Sequence, residues 1–152
     1  MIVFVLRHAD RKPEPADALS QKGIVRAELL ARLLGESGIR TAWRSDALRA
    51  QATLQPLQAM LGNKLKVNVV PIAGANGAKD HEQHVIAAVR QLPANATAAI
   101  VSHSNTVGPI IEGLTGQTIG EITAQQFDKL FVLSIPATGA ATVTLLRYGA
   151  PT

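Results

Sequence analysis

The stretch IVFVLRHADRKP, residues 2–13, opens with five apolar residues and turns polar at Arg7 and His8. A continuous apolar run with β-branched members predicts a strand covered on both faces. Such a strand places whatever follows it at the carboxyl edge of a sheet, where α/β folds bind their ligands. The cation and the imidazole that end this run are therefore the first candidates for chemistry.

Downstream, helical and strand patterns alternate. Residues 18–38 (ALSQKGIVRAELLARLLGESG) predict a helix with Ser20 as N-cap, a stripe at Ile24, Ala27, Leu30, Ala31 and Leu34, and an end at Gly38. TAWRS (41–45) predicts a short strand. DALRAQATLQPLQAMLG then predicts a helix to Gly62, kinked or broken at Pro56. KVNVV (66–70) is a strand, residues 71–79 a loop, and DHEQHVIAAVRQL a helix closed by Pro93. TAAIVS (97–102) predicts a second buried strand, followed by a helix over NTVGPIIEGLTG and a connector to about Phe127. KLFVLSI and ATVTLLRY predict a hairpin around PATGA. The order β-α-β-α-β-α-β-α-β-β predicts one domain over residues 1–152. Its fold class is three-layer α/β/α with a mixed, mostly parallel sheet.

Composition agrees. The 152 residues are 47% hydrophobic, 17% charged and only 3% aromatic, which favours an aliphatic core. A net charge of +4 favours anionic ligands, but scattered cations and few aromatic rings exclude a nucleic-acid stacking surface. No cysteine is present, so disulfides, thiolate catalysis and cysteine-based zinc sites are excluded. No stretch approaches the ~20 apolar residues of a membrane span, and the amino terminus lacks a basic leader, so a cytoplasmic setting is expected.

Two predicted strands end in histidine, at His8 and at His103 in VSHSNT. A third leads into RSDALRA, with Arg49 in the first turn of the next helix. Arg7, His8, Arg49 and His103 can thus share one mouth. Two guanidiniums and two imidazoles repel one another unless an anion sits among them, and guanidinium suits phosphate. A neutral imidazole can attack phosphorus while the other stabilises the developing charge.

The series LRHAD, LSQKG, RSDALRAQAT and VSHSNT resembles the histidine phosphatase superfamily, the phosphoglycerate-mutase-like fold, in its short bacterial form. The resemblance covers nearly the whole chain. It implies His8 as a nucleophile that becomes phosphohistidine, Arg7 and Arg49 as holders of the phosphoryl oxygens, and His103 as the group that steadies the transition state. Two departures stand out. Ala9 replaces the usual glycine. The acid that protonates the leaving group in many relatives has no matched counterpart, and Asp80 and Glu82 are the nearby carboxylates.

Other residues carry simpler readings. Ser45 and Asp46 read as helix caps, Thr53 as packing and Lys12 as surface. Asn105 and Thr106 either cap the next helix or touch the ligand. Asp10 and Asp17 are candidates to orient pocket residues. His81 and His84 flank Glu82, but the polar face of a helix explains them better than a metal, and no metal or other cofactor is expected. The expected activity is hydrolysis of a phosphate monoester on a phosphorylated small molecule or phosphoprotein. The alternatives are a protein-phosphohistidine phosphatase and a non-catalytic phosphate-binding module.

Overall fold

The computed structural model describes residues 1–152. The elements follow the predicted order: β1 (Ile2–Arg7), α1 (Gln21–Leu34), β2 (Thr41–Arg44), α2 (Leu48–Leu61), β3 (Lys66–Val69), α3 (Gly77–Arg90), β4 (Thr97–Ser102), α4 (Val107–Thr115), β5 (Lys129–Ser134) and β6 (Thr142–Arg147). They build one six-stranded sheet in the order β3-β2-β4-β1-β5-β6. Strands β1 to β4 run parallel, and the closing hairpin adds β5 antiparallel to β1 and β6 antiparallel to β5.

Strand alternation divides the core in two. Leu6 of β1, Ala42 of β2 and Ala99 and Val101 of β4 face α1 and α2, where Leu30, Leu34, Leu54 and Leu57 complete the cluster. Val3, Val5, Trp43, Ala98 and Ile100 face α3 and α4, against Val85, Val89, Ile110 and Ile111. Both central strands are therefore apolar on both faces, which is why they read as unbroken runs.

Four local expectations need correction. Helix α1 stops at Leu34, because Ser37 turns its own N–H and hydroxyl onto the Leu34 carbonyl before Gly38 is reached. Ile24 is 42% exposed; the buried stripe runs through Gly23, Arg26, Ala27, Leu30, Ala31 and Leu34. Helix α2 continues through Pro56 to Leu61, so the proline removes one N–H donor without breaking the helix. Asp46 is no helix cap: its carboxylate accepts from Ile72 N–H (2.9 Å) and ties down the loop after β3.

Arg26 is buried because Asp10 meets it at 2.6 Å. The same guanidinium donates to the carbonyls of Tyr148 and Ala150 (2.7 Å to the latter), binding the C-terminal segment to α1 and to the loop after β1. Asp10 thus braces the loop that carries the pocket instead of facing the pocket itself. Replacing Arg26 with Ala leaves a carboxylate and two carbonyls unpaired. It is expected to cost about 3–5 kcal/mol of stability, measured by urea unfolding, and a loss below 1 kcal/mol would contradict this account of the tail.

Candidate functional site

Strands β1 and β4 pair Arg7 with Ser102, and His8 N–H donates to the Ser102 carbonyl at 2.9 Å. Both strands therefore end at one level, and the residues that follow emerge side by side. The rings of His8 and His103 lie 5.3 Å apart, inclined at 62°. Together with Arg7, Arg11, Ala16, Arg49, Ile72, Ser104, Asn105 and Ala124 they line a cleft of about 490 Å³. The structure brings together all four residues expected to converge, and Asn105 with them.

Each polar group is held in a defined state. The Nδ1–H of His8 donates to the carbonyl of Ala9 at 2.8 Å, so a neutral ring keeps its lone pair on Nε2, which has no protein partner. Ala9 is itself fully buried with Leu19 and Ala27, so its methyl group occupies a fitted space where the family resemblance leads one to expect glycine. Its N–H donates to Thr53 Oγ1 at 2.8 Å. Thr53, expected only to pack, thereby pins the turn after the first histidine to α2.

Arg49 Nη1 donates to Asp17 (2.7 Å), and Nη2 donates to His103 Nδ1 (3.3 Å). Because Nδ1 accepts, the His103 proton sits on Nε2 and is donated to Ser45 Oγ at 2.8 Å. Asp17 also accepts from the N–H groups of Leu48 and Arg49, so it caps α2 from 31 positions away while aligning its guanidinium. Arg7 Nη1 is gripped by the carbonyls of Thr123, Ala124 and Gln126 at 2.9–3.0 Å, and its guanidinium lies 4.0 Å from the Phe127 ring centre. The Nε atoms of Arg7 and Arg49 are buried without partners. Two unused guanidinium donors beside two imidazoles suit a tetrahedral oxyanion.

No carboxylate lines this cleft. Asp80 is exposed in the first turn of α3, and Glu82 is half-buried on the same helix, where burial raises its pKa. The structure brings neither to the cleft. His81, expected on a polar helix face, is wholly buried, while His84 is exposed. Asp17 and Ser45 act on the site through side-chain hydrogen bonds, Thr53 through the Ala9 N–H and Phe127 through its ring, each between segments distant in sequence. Asp17 is the candidate orienting residue that the sequence offered, and its contacts with Arg49 fit that role; Ser45 and Thr53 lie in the RSDALRAQAT motif but read there as a cap and as packing, and Phe127 carried no signal.

The positive charge shows in the titration behaviour. Burial lowers the His8 pKa to about 3, with Arg7, His103 and Arg49 pushing the same way. His103 falls to about 4, through burial and then Arg49. Burial, followed by repulsion from Arg11 and Arg49, lowers Arg7 to about 10.

The model described as histidine phosphatase superfamily (branch 1) matches residues 10–72. Solved structures align over nearly the whole chain. The protein histidine phosphatase SixA, complexed with tungstate, matches with TM-score 0.73 and 22% identity over 97% of both chains. The chain shares the fold of these solved phosphatases, and its segment 10–72 matches the histidine phosphatase superfamily model. A mycobacterial glucosyl-3-phosphoglycerate phosphatase matches with TM-score 0.66 and 16% identity over 99% of both chains. No curated protein matches the sequence. The segment matched to histidine phosphatases contains Asp17 and Arg49 but neither imidazole of the cleft, which the fold alone brings into place.

Neutral buried imidazoles have a consequence for stability. Above pH 6.5 folded and unfolded chains both carry neutral His8, and no effect arises. Below it the unfolded chain takes up protons that the folded chain refuses, so stability falls as pH drops toward the folded values. His8 alone gives a slope approaching ~1.4 kcal/mol per pH unit, and His103 and His81, both also lowered, add in the same direction. Urea midpoints are expected to hold from pH 8 to 7 and fall from pH 6.5 to 4.5, with inorganic phosphate offsetting the fall. A flat profile across that window would contradict the burial of neutral rings.

Proposed function

We propose that this chain is a phosphatase that works through a phosphohistidine on His8. The observation that carries the reading is the state of that ring: Nδ1–H is fixed on the Ala9 carbonyl, and the free Nε2 lone pair shares a cleft with two under-used guanidiniums. A phosphoryl group entering the cleft would take hydrogen bonds from Arg7 and Arg49, with Asn105 at the rim. His8 Nε2 then forms the P–N bond as the bond to the leaving group breaks, the leaving atom keeping the electron pair. His103 stabilises charge on the equatorial oxygens; a dianion beside Nδ1 favours its protonated, donating form. Water attacks phosphorus in turn, the P–N bond returns its electrons to Nε2, and the surplus proton passes to solvent.

The leaving group bears on the substrate. An alkoxide needs a proton donor, and no carboxylate lines the cleft. An imidazole departs as a weak base near neutrality and needs little help. A phosphohistidine side chain of another protein is therefore the substrate class that this cleft favours. The loop after β3 contributes only Ile72 to the lining, which leaves the mouth open to such a chain. SixA, named a protein histidine phosphatase, shares the fold.

The test compares wild type with His8→Ala on p-nitrophenyl phosphate and on a phosphohistidine peptide, with and without chelator. Turnover in the variant is expected to fall to background, chelator to change nothing, and the peptide to give the higher kcat/KM. Wild-type rates in His8→Ala would overturn the mechanism; a strong ester preference would overturn the substrate class. Arg49→Ala is expected to lower the rate by ~10²–10³, the loss seen when a charge-stabilising donor is removed.

A further inference from the structure

Beneath the cleft lies a buried polar chain that the catalytic proposal does not use. Alternation along β4 turns Ala98, Ile100 and Ser102 toward α3, so Ser102 is a polar side chain in an apolar row. On α3 the buried positions His81, Val85 and Val89 recur every four residues and meet that row. His81, Ser102 and Thr106 are each fully buried.

Their hydrogen bonds have a forced direction. His81 Nδ1 faces the Val70 carbonyl at 2.8 Å, and a carbonyl only accepts, so Nδ1 carries the proton. In the neutral ring Nε2 then accepts, and Ser102 Oγ donates to it at 2.9 Å. With its proton committed, Ser102 Oγ accepts from Thr106 Oγ1 at 2.7 Å. Thr106 Oγ1 in turn accepts the backbone N–H of His103 at 3.0 Å; its one proton, given to Ser102, leaves the longer 3.2 Å contact with the His103 carbonyl without a hydrogen. The same turn is closed by Thr106 and Val107 N–H groups on the His103 carbonyl, at 3.1 and 3.0 Å. Each donor and acceptor in the series has a partner, from the end of β3 to the peptide of the second cleft histidine. Burial favours the neutral His81 ring that this direction requires.

We infer that His81 is a positioning residue: through Ser102 and Thr106 it fixes the His103 peptide, and so the angle at which the His103 ring meets the cleft. An apolar trio could fill the same space and hold α3 on the sheet. It would leave the His103 N–H without its fixed acceptor and the turn free to shift. The inference rests on the phosphatase reading for its effect on turnover, and not for its structural content.

Two substitutions separate positioning from mere support. His81→Gln places a carbonyl oxygen near the position of Nε2, keeping an acceptor for Ser102 and giving up Val70. His81→Asn places an amide near Nδ1, keeping Val70 and giving up Ser102. On p-nitrophenyl phosphate, His81→Asn is expected to lower kcat about tenfold with KM within about twofold, since sub-ångström misplacement of a transition-state group acts on kcat. His81→Gln is expected to stay within about twofold of wild type. Thr106→Val cuts the chain nearer its end. His81→Asn combined with Thr106→Val should lose no more than the worse single variant, because both sever one path. Equal kcat in the Gln and Asn variants, or additive losses, would overturn the inference, as would a loss of stability with kcat unchanged. Should His81→Asn fail to fold, Thr106→Val and Ser102→Ala carry the same test.

A readout independent of turnover keeps this result distinct from failure of the phosphatase reading. In ¹⁵N-histidine NMR spectra the His103 ring signals and the exchange rate of its Nε2–H are expected to change in His81→Asn and to hold in His81→Gln. Unchanged His103 signals in both would overturn the inference even if the enzyme turned over nothing.

Discussion

The parallel pairing of β1 with β4 is the constraint on which the site depends. The ladder runs from Ile2 opposite Thr97 to Arg7 opposite Ser102, and the next N–H, that of His8, still bonds across to the Ser102 carbonyl. A slip of one residue would reverse which side chains face α1 and α2, and would bury different atoms at the strand ends. Register here is set by Val3, Val5, Ala98 and Ile100 packing on one face while Leu6, Ala99 and Val101 pack on the other. The separation of the two imidazoles is therefore a product of aliphatic packing two or three residues below them.

Charge is managed by the same burial. Two imidazoles sit beside Arg7 and Arg49 at little electrostatic cost because they are neutral, and each proton has a fixed acceptor: Ala9 carbonyl for His8, Ser45 hydroxyl for His103. Asp17 offsets Arg49 from outside the cleft lining and at the same time caps α2. Negative charge is thus kept close enough to align a guanidinium and away from the place where an anion would sit.

Much of the frame was legible in the residues. Five apolar residues before Arg7 and His8, and AIVS before His103, announce strands buried on both faces, and Ser20 does cap α1, accepting from Gly23 N–H at 3.2 Å. What escaped was of two kinds. Contacts between distant segments, such as Arg26 on Asp10 or Arg7 on the carbonyls before β5, leave no local pattern, although Asp17 was legible as a residue that orients the pocket. His81 is different: counting back four residues from Val89 and Val85 reaches it, so the helical stripe already implied its burial. The polar run DHEQH masks that periodicity, because its other four residues are polar and lie off the buried stripe. Asp80 and Glu82 are near the third strand in sequence alone, and helix α3 carries both away from the cleft.

The grip on Arg7 uses main-chain carbonyls of Thr123, Ala124 and Gln126, not their side chains. Any residue supplies the same oxygen. Within the segment between α4 and β5, positions such as Ala124 are consequently free to drift in composition, altering the rim that an incoming molecule meets, while the carbonyls and the Phe127 ring keep the guanidinium in its seat. Under the proposed function, selectivity and the capture of a phosphoryl group would in this way be uncoupled: one could be retuned along a stretch without regular structure, and the other would stay anchored in the sheet.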